Sequence, residues 1–199
     1  RASSCLRRLS PNPAASDMSR AFSLIEVLIA AALSAVLMLA IARLYVVYNR
    51  VVLVQQSSIK AALGASGIVD AARSAGMQAR QVVAAHTFAG ANRSSGTTTA
   101  IFELPSIDAS GAIVGGAYDY IGIFASGTEA YRLVDAAPGS SRSSGEKRLT
   151  DVLDALSFAY DNVDFPSVTS VTVSATTSAV AHGETTYTHL RERIDLRNI

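Results

Sequence analysis

Glu26 is the one ionisable side chain between Ala21 and Arg43, in the run A-F-S-L-I-E-V-L-I-A-A-A-L-S-A-V-L-M-L-A-I-A-R. It sits about one helical turn inside a stretch that is otherwise almost wholly apolar. A carboxylate at mid-bilayer costs roughly 2.5 to 3.5 kcal/mol on insertion scales, so its presence calls for a reason. One reading is local: an acid in a helix's first turn gains about 0.3 to 1 kcal/mol from the helix dipole while it reaches toward water. The other turns on its neighbours, the basic Arg20, the small Ala21 and the run Phe22-Ser23-Leu24-Ile25-Glu26-Val27.

Other chemistry is thin. His86, His182 and His189 have no partner at metal-ligand spacing on a shared helix face. No Gly-x-Ser-x-Gly elbow, phosphate-binding glycine loop or paired-cysteine site occurs. Asp161 and Asp164 offer oxygen donors of the kind calcium takes, but two or three acids in a loop are usually just solvated. The expectation is a protein that is not an enzyme, with no metal and no cofactor. Asn92-Arg93-Ser94 matches a glycan acceptor triplet, which chance explains in a serine-rich chain.

The element that must position Glu26 is a helix. Some 21 residues at the helical rise make a rod of roughly 32 Å, enough to cross a hydrocarbon core. The whole chain has 199 residues and a net charge of +1. Beyond the rod it is long enough for one modest domain with a real core. The near-neutral balance without a basic run argues against nucleic acid as a partner. The lone Cys5 precedes the apolar stretch, so the downstream domain has no disulfide.

The run F-S-L-I-E-V after a small residue resembles the amino-terminal motif of type IV pilins and of the pseudopilins of type II secretion. The resemblance implies that a prepilin peptidase cuts between Ala21 and Phe22, that Phe22 carries the methylated amine, and that Glu26 is the assembly carboxylate. It would neutralise the amino terminus of a neighbouring subunit. An unpaired ammonium and an unpaired carboxylate in low dielectric attract strongly, so pairing would act as an assembly signal. Ala21 stands where the family usually has glycine. Partners so implied are other pilin or pseudopilin subunits, the peptidase, an inner-membrane assembly platform and the lipid bilayer. The place implied is the bacterial inner membrane, single-pass, with the C-terminal domain in the periplasm, and then the pilus or pseudopilus.

Arg1 to Asp17 carries basic, proline and serine residues without apolar period and is expected to be disordered or untranslated. A start at Met18 would leave the leader Met18-Ser19-Arg20-Ala21. A rival reading takes Ala40-Ile41-Ala42 as a secretory cleavage site releasing a domain at Arg43. Against it stand an apolar region longer than the roughly 7 to 15 residues of a signal core, and the glutamate within it.

Past Arg43 the helical period continues. At about 100° per residue, Tyr45, Tyr48, Val52, Ile59 and Leu63 fall in a narrow arc. The upper part of that stripe is expected to pack on the chain's own domain and the lower part, around Tyr45 and Tyr48, on neighbouring helices. Gly64 and Gly67 are expected to bend the helix or shift its buried face, and Gly76 to stop it in a left-handed conformation. Asp70-Ala71-Ala72-Arg73-Ser74-Ala75-Gly76 is similar to the close of the long helix in PilW-type minor pilins. Those relatives often carry a cysteine shortly after; none follows here.

Beyond residue 85 the period changes from helix to strand. Loops are expected at Ala89–Thr99 and Ala136–Lys147, and strands at Ala100–Leu104, Tyr118–Phe124, Ala130–Val134, Ala155–Tyr160, Val168–Thr176 and Thr185–Leu196. Alternation such as Leu156/Phe158/Tyr160 predicts an antiparallel sheet with one buried face. Asp151 to Asp161 and Arg193 to Asn198 look like the late strands of PilW-type minor pilins and the J pseudopilins. The fold expected is α+β, one long helix, half transmembrane, packed on an antiparallel sheet. The parts are 1–21 leader or untranslated segment, 22–42 membrane half of the helix, 43–84 exposed half and connection, and 85–199 sheet domain. The function so read is a minor pilin or pseudopilin, at the tip or in initiation. The alternative is a bitopic membrane-anchored ligand-binding or sensor protein that does not polymerise.

Overall fold

The computed structural model describes residues 23–197. Helix α1 runs Leu24–Gly76 over 53 residues. It is followed by β1 (Gln81–Val82), β2 (Ala85–Phe88), β3 (Ala91–Ser94), β4 (Thr99–Ile107), β5 (Ile113–Ser126) and β6 (Glu129–Asp135). Then come β7 (Gly145–Thr150), β8 (Leu153–Tyr160), a short 3-10 turn (Phe165–Ser167), β9 (Ser170–Ala181) and β10 (Glu184–Asp195). All pairing is antiparallel, in a five-stranded sheet β1-β4-β5-β6-β7, a three-stranded sheet β10-β9-β8 and the hairpin β2-β3. The class is α+β, with the long amino-terminal helix packed on antiparallel sheets.

The chain divides into two compact units at Val47/Tyr48. The first, from Leu24 on, is helix. Its described residues, through Val47, are exposed on every side, as free-standing apolar rod is without its surroundings, and the rod is long and apolar enough to cross a membrane.

The second unit has the core. From α1 come Ile68, Val69, Ala72 and Ala75. They meet Ala100, Phe102 and Leu104 of β4, Ile121 and Ile123 of β5, and Phe158, Val171, Val173 and Ile194 of the three-stranded sheet. The opposite face of the five-stranded sheet buries Phe88, Ile101, Phe124 and Leu133. There the β2-β3 hairpin lies with His86 stacked on Tyr120 (ring centroids 3.7 Å apart) and the Arg93 guanidinium 3.9 Å above Phe124.

The helix stays continuous through Gly64 and Gly67. Several expectations are corrected. Gly64 serves close approach: a Cβ there would collide with Thr150 Oγ1 and lie 3.4 Å from Thr177 Cγ2. Gly76 ends the helix without a left-handed φ, and a Cβ there would lie 2.7 Å from Ile194 Cγ2, so packing explains it. Ile59 and Leu63 do not pack on the chain's own domain but stay exposed, because the helix turns a face of small residues inward: Ser57, Ala61, Gly64, Ala65, Ala72 and Ala75. At about 100° per residue the two faces lie roughly 180° apart.

The expected loop at 89–99 contains β3, reached through a tight turn in which Ala89 (φ 47°) and Gly90 (φ 87°) are both left-handed. The expected loop at 136–147 ends early, since Gly145 already pairs with Val134. What remains is tied down rather than loose. Asp119, fully buried, accepts hydrogen bonds from Ala137 N (2.8 Å), Ser140 Oγ (2.8 Å) and Arg142 Nη1 (2.5 Å). Arg142 reaches on to Pro105 O at 2.8 Å and Gln78 Oε1 at 2.9 Å. Burial pushes the Asp119 carboxyl up, and these donors more than offset it, leaving it below the ordinary value.

Candidate assembly site at the start of the helix

Ala21 and Phe22 lie outside the described residues, and Ser23 is the first position with a place in the structure. Its backbone N–H donates to Glu26 Oε2 at 2.9 Å, and Glu26 N–H donates back to Ser23 Oγ at 3.3 Å. This reciprocal pair is a capping box: it gives the Ser23 amide a partner and adds a second acceptor for the Glu26 amide, which also donates to Ser23 O at 3.0 Å. Sequence reading missed it, although Ser-x-x-Glu ahead of an apolar run is its signature. Glu26 is therefore bound to the start of its own helix, where the positive end of the dipole favours it. Ser34, the next polar side chain of the rod, donates to Ala30 O at 2.8 Å. Its hydroxyl is satisfied within the helix and leaves Glu26 as the one charged group between Ser23 and Ala42.

The remaining candidates have structural employment. His86 Nε2 lies 2.8 Å from Asp135 Oδ2 and His189 Nδ1 lies 3.1 Å from Thr176 Oγ1, while His182 forms the β9-β10 turn with φ 50°. The structure does not bring the three together. Asp161 accepts from Thr169 N (3.0 Å), Ser170 N (3.1 Å) and Thr169 Oγ1. These donors, the Thr169 hydroxyl first, hold its carboxyl down at about 2. Asp164 accepts from Ser167 Oγ at 2.8 Å. Both acids tie the turn before β9 while they stand exposed to solvent, as loop carboxylates usually do. Among the described residues no three His, Cys, Asp or Glu side chains gather as a metal site.

What the arrangement can do is pair charge at the tip of an apolar rod that crosses a membrane. Residues 17–42 match the family described as the prokaryotic N-terminal methylation motif. The chain thus carries a type IV pilin-like prepilin signal on a membrane helix, followed by an α+β unit. No curated protein and no solved structure matches it.

Proposed function

We propose that the chain is a structural subunit, a minor pilin or pseudopilin, cut by prepilin peptidase between Ala21 and Phe22 and methylated on Phe22. The observation that carries this is the methylation motif placed on a rod whose one carboxylate is Glu26, in its first turn. In the assembled state Glu26 pairs with the Phe22 amine of a neighbour, which removes two costs of charge in lipid at once. The exposed stripe supports the same reading: Tyr48, Ile59 and Leu63 stand out from the unit that their helix helps to build. Partners on this account are other pilin-type subunits and the inner-membrane assembly platform. The unit that begins at Tyr48 lies in the periplasm until assembly. The parts are then a leader through 21, a membrane half 22–42, an exposed half 43–84 and a sheet domain 85–199. The subunit works at the tip or in initiation, and its work is assembly rather than catalysis.

The test is the mature amino terminus. Mass spectrometry of the protein isolated from membranes should give N-methylated Phe22 as the first residue. A start at Arg43 would make it a secreted protein, and an uncut chain would make it a bitopic anchored binding or sensor protein; either overturns the proposal.

A further inference from the structure

Strand β10 is the outermost strand of its sheet, and one side of its backbone has no partner. In the β9-β10 turn His182 (φ 50°) and Gly183 (φ 78°) are both left-handed, the two-residue form that makes Ala181 and Glu184 a hydrogen-bonded pair. The register runs without a bulge from Glu184 to Asp195, so the alternation carries through. Thr186, Thr188 and Leu190 bond to β9, and the amides of Thr185, Tyr187, His189, Arg191 and Arg193 point the other way. Ser178 fixes the phase: it stands opposite Tyr187, and its N–H donates away from β10, to Val152 O at 2.9 Å. No backbone bond of the described residues reaches the outer edge of β10. The other edge of the sheet is engaged, since in β8 Leu153 N donates to Thr128 O at 2.8 Å and Phe158 N to Thr97 O at 2.7 Å.

Open edges are usually blunted by shortness, proline, lysine or a bulge. β10 has 12 residues and none of these devices. Ion pairs to α1, Arg50 with Glu184 and Arg73 with Glu192, hold both ends of the strand and present its edge in a fixed line. What the strand does carry is charge of one sign. Glu184 and Glu192 turn toward α1, so by alternation Tyr187, His189, Arg191 and Arg193 stand on the opposite face, all exposed. Across the sheet from Arg191 come only Ser174 and Ser157, and it has no ion-pair partner among the described residues, whereas Arg193 has Asp195 at 3.3 Å. On the face toward α1 the middle of the strand, Thr186, Thr188 and Leu190, is uncharged.

We propose that the outer edge of β10 docks an extended segment of another protein, which adds as a further strand with acidic residues at alternate positions beside His189 and Arg191 and uncharged residues on its other face. Main-chain bonds supply the affinity, and the unanswered arginine selects the partner by refusing a basic strand. A second copy of β10 fits this edge poorly. Its exposed face brings the same two arginines with Asp195 as its one acid, and like charges facing each other across a seam are destabilising. The inference needs only the fold of the second unit and stands or falls apart from the filament reading.

The probes are two synthetic peptides, Thr-Glu-Val-Glu-Val-Glu-Thr and its counterpart with lysine for glutamate, each added to the dilute full-length chain in detergent micelles. The readout is amide hydrogen exchange resolved by residue. Without peptide, Tyr187, His189 and Arg191 should exchange fast and Thr186, Thr188 and Leu190 slowly. The glutamate peptide should slow the first three by at least about tenfold, and the lysine peptide should leave them fast. His189→Pro removes one outward donor and no bond to β9, so it should abolish binding while Thr188 and Leu190 stay protected. Arg191→Glu should reverse the preference, taking the lysine peptide in place of the other; if the proline frees Thr188 and Leu190, this reversal alone decides. Fast exchange at the three amides with both peptides overturns the inference, as does equal binding of both or an unchanged preference in Arg191→Glu. Protection without peptide that grows with protein concentration gives the edge to a second copy and overturns it too.

Discussion

Glu26 is asked to do two things, cap its own helix and pair with a neighbour, and three substitutions separate them. Glu26→Gln keeps the capping box, since glutamine fills the same role toward the Ser23 amide, but removes the charge. Ser23→Ala keeps the charge and removes the hydroxyl that accepts from Glu26 N. Glu26→Ala removes both. Loss of a cap costs about 1 kcal/mol, or about fivefold in an equilibrium. An ammonium-carboxylate pair at about 4 Å in an effective dielectric near 20 is worth about 4 kcal/mol, close to a thousandfold. The proposed pairing therefore predicts that Ser23→Ala lowers filament incorporation modestly. Glu26→Gln and Glu26→Ala should be nearly equal and far lower. Membrane insertion should hold for all, because removing a charge from the rod only makes it more apolar. The assay is the ratio of subunit in sheared filaments to subunit left in the membrane fraction. Wild-type incorporation of Glu26→Gln beside failure of Glu26→Ala would refute charge pairing and leave the carboxylate as a cap.

Three further expectations concern the second unit. Asp119→Ala strands Arg142, which is 17% exposed, and frees the 136–144 segment; breaking a buried pair costs about 3 to 5 kcal/mol. Urea unfolding should show that loss, with faster amide exchange at Ala137, and an effect below about 1 kcal/mol, as for a surface pair, contradicts it. Gly64→Ala and Gly67→Ala should differ in sign. At Gly67 the nearest atom to a new Cβ is Leu149 O at 3.7 Å, so the helix gains up to about 1 kcal/mol. At Gly64 the collision with Thr150 costs about 1 to 3 kcal/mol against that gain, and midpoints moving the same way would refute the contact. Asp161 has a depressed carboxyl, so what it contributes is fully present above the ordinary value near 3.8 and is lost as pH falls through about 2. Amide exchange at Thr169 and Ser170 should rise across that window in the parent and stay flat in Asp161→Asn; parallel curves would remove Asp161 from the account.

Strand alternation made most of the fold legible, because one buried face leaves a period of two in Leu156, Phe158 and in Val171, Val173, Ala175. The long helix was legible from its unbroken apolar run. Its inward face was not, because large apolar residues invite burial while Ala61, Gly64 and Ala75 look like filler. The β2-β3 hairpin escaped for a different reason. Ala-Asn-Arg-Ser has little strand propensity, and what orders it is tertiary: His86 on Tyr120 and Arg93 over Phe124. The tie between Asp119 and Arg142 joins residues 23 apart and leaves no local trace. The Ser23–Glu26 box was present in the letters and needed only to be read as a helix start rather than as an odd charge.

The division of the helix into two faces has an energetic consequence. Small residues let the sheets press close to the backbone, so that Thr177 Oγ1 reaches Ala61 O at 2.6 Å and Ile194 packs on Gly76. That closeness leaves the opposite ridge proud, with Tyr48, Ile59 and Leu63 in contact with solvent. Apolar area forgoes about 25 cal/mol for each Å² left in water, and a monomer gains nothing in return. In the proposed subunit the deficit is made good only when neighbouring helices cover the ridge. The same packing that builds the domain would then supply part of the drive to assemble, with Glu26 setting the register at the rod's tip. Replacing Ile59 and Leu63 together by serine should leave the unfolding midpoint of the second unit within about 0.5 kcal/mol, as surface changes do, while lowering filament incorporation. A large loss of domain stability would show that the ridge belongs to the subunit's own core.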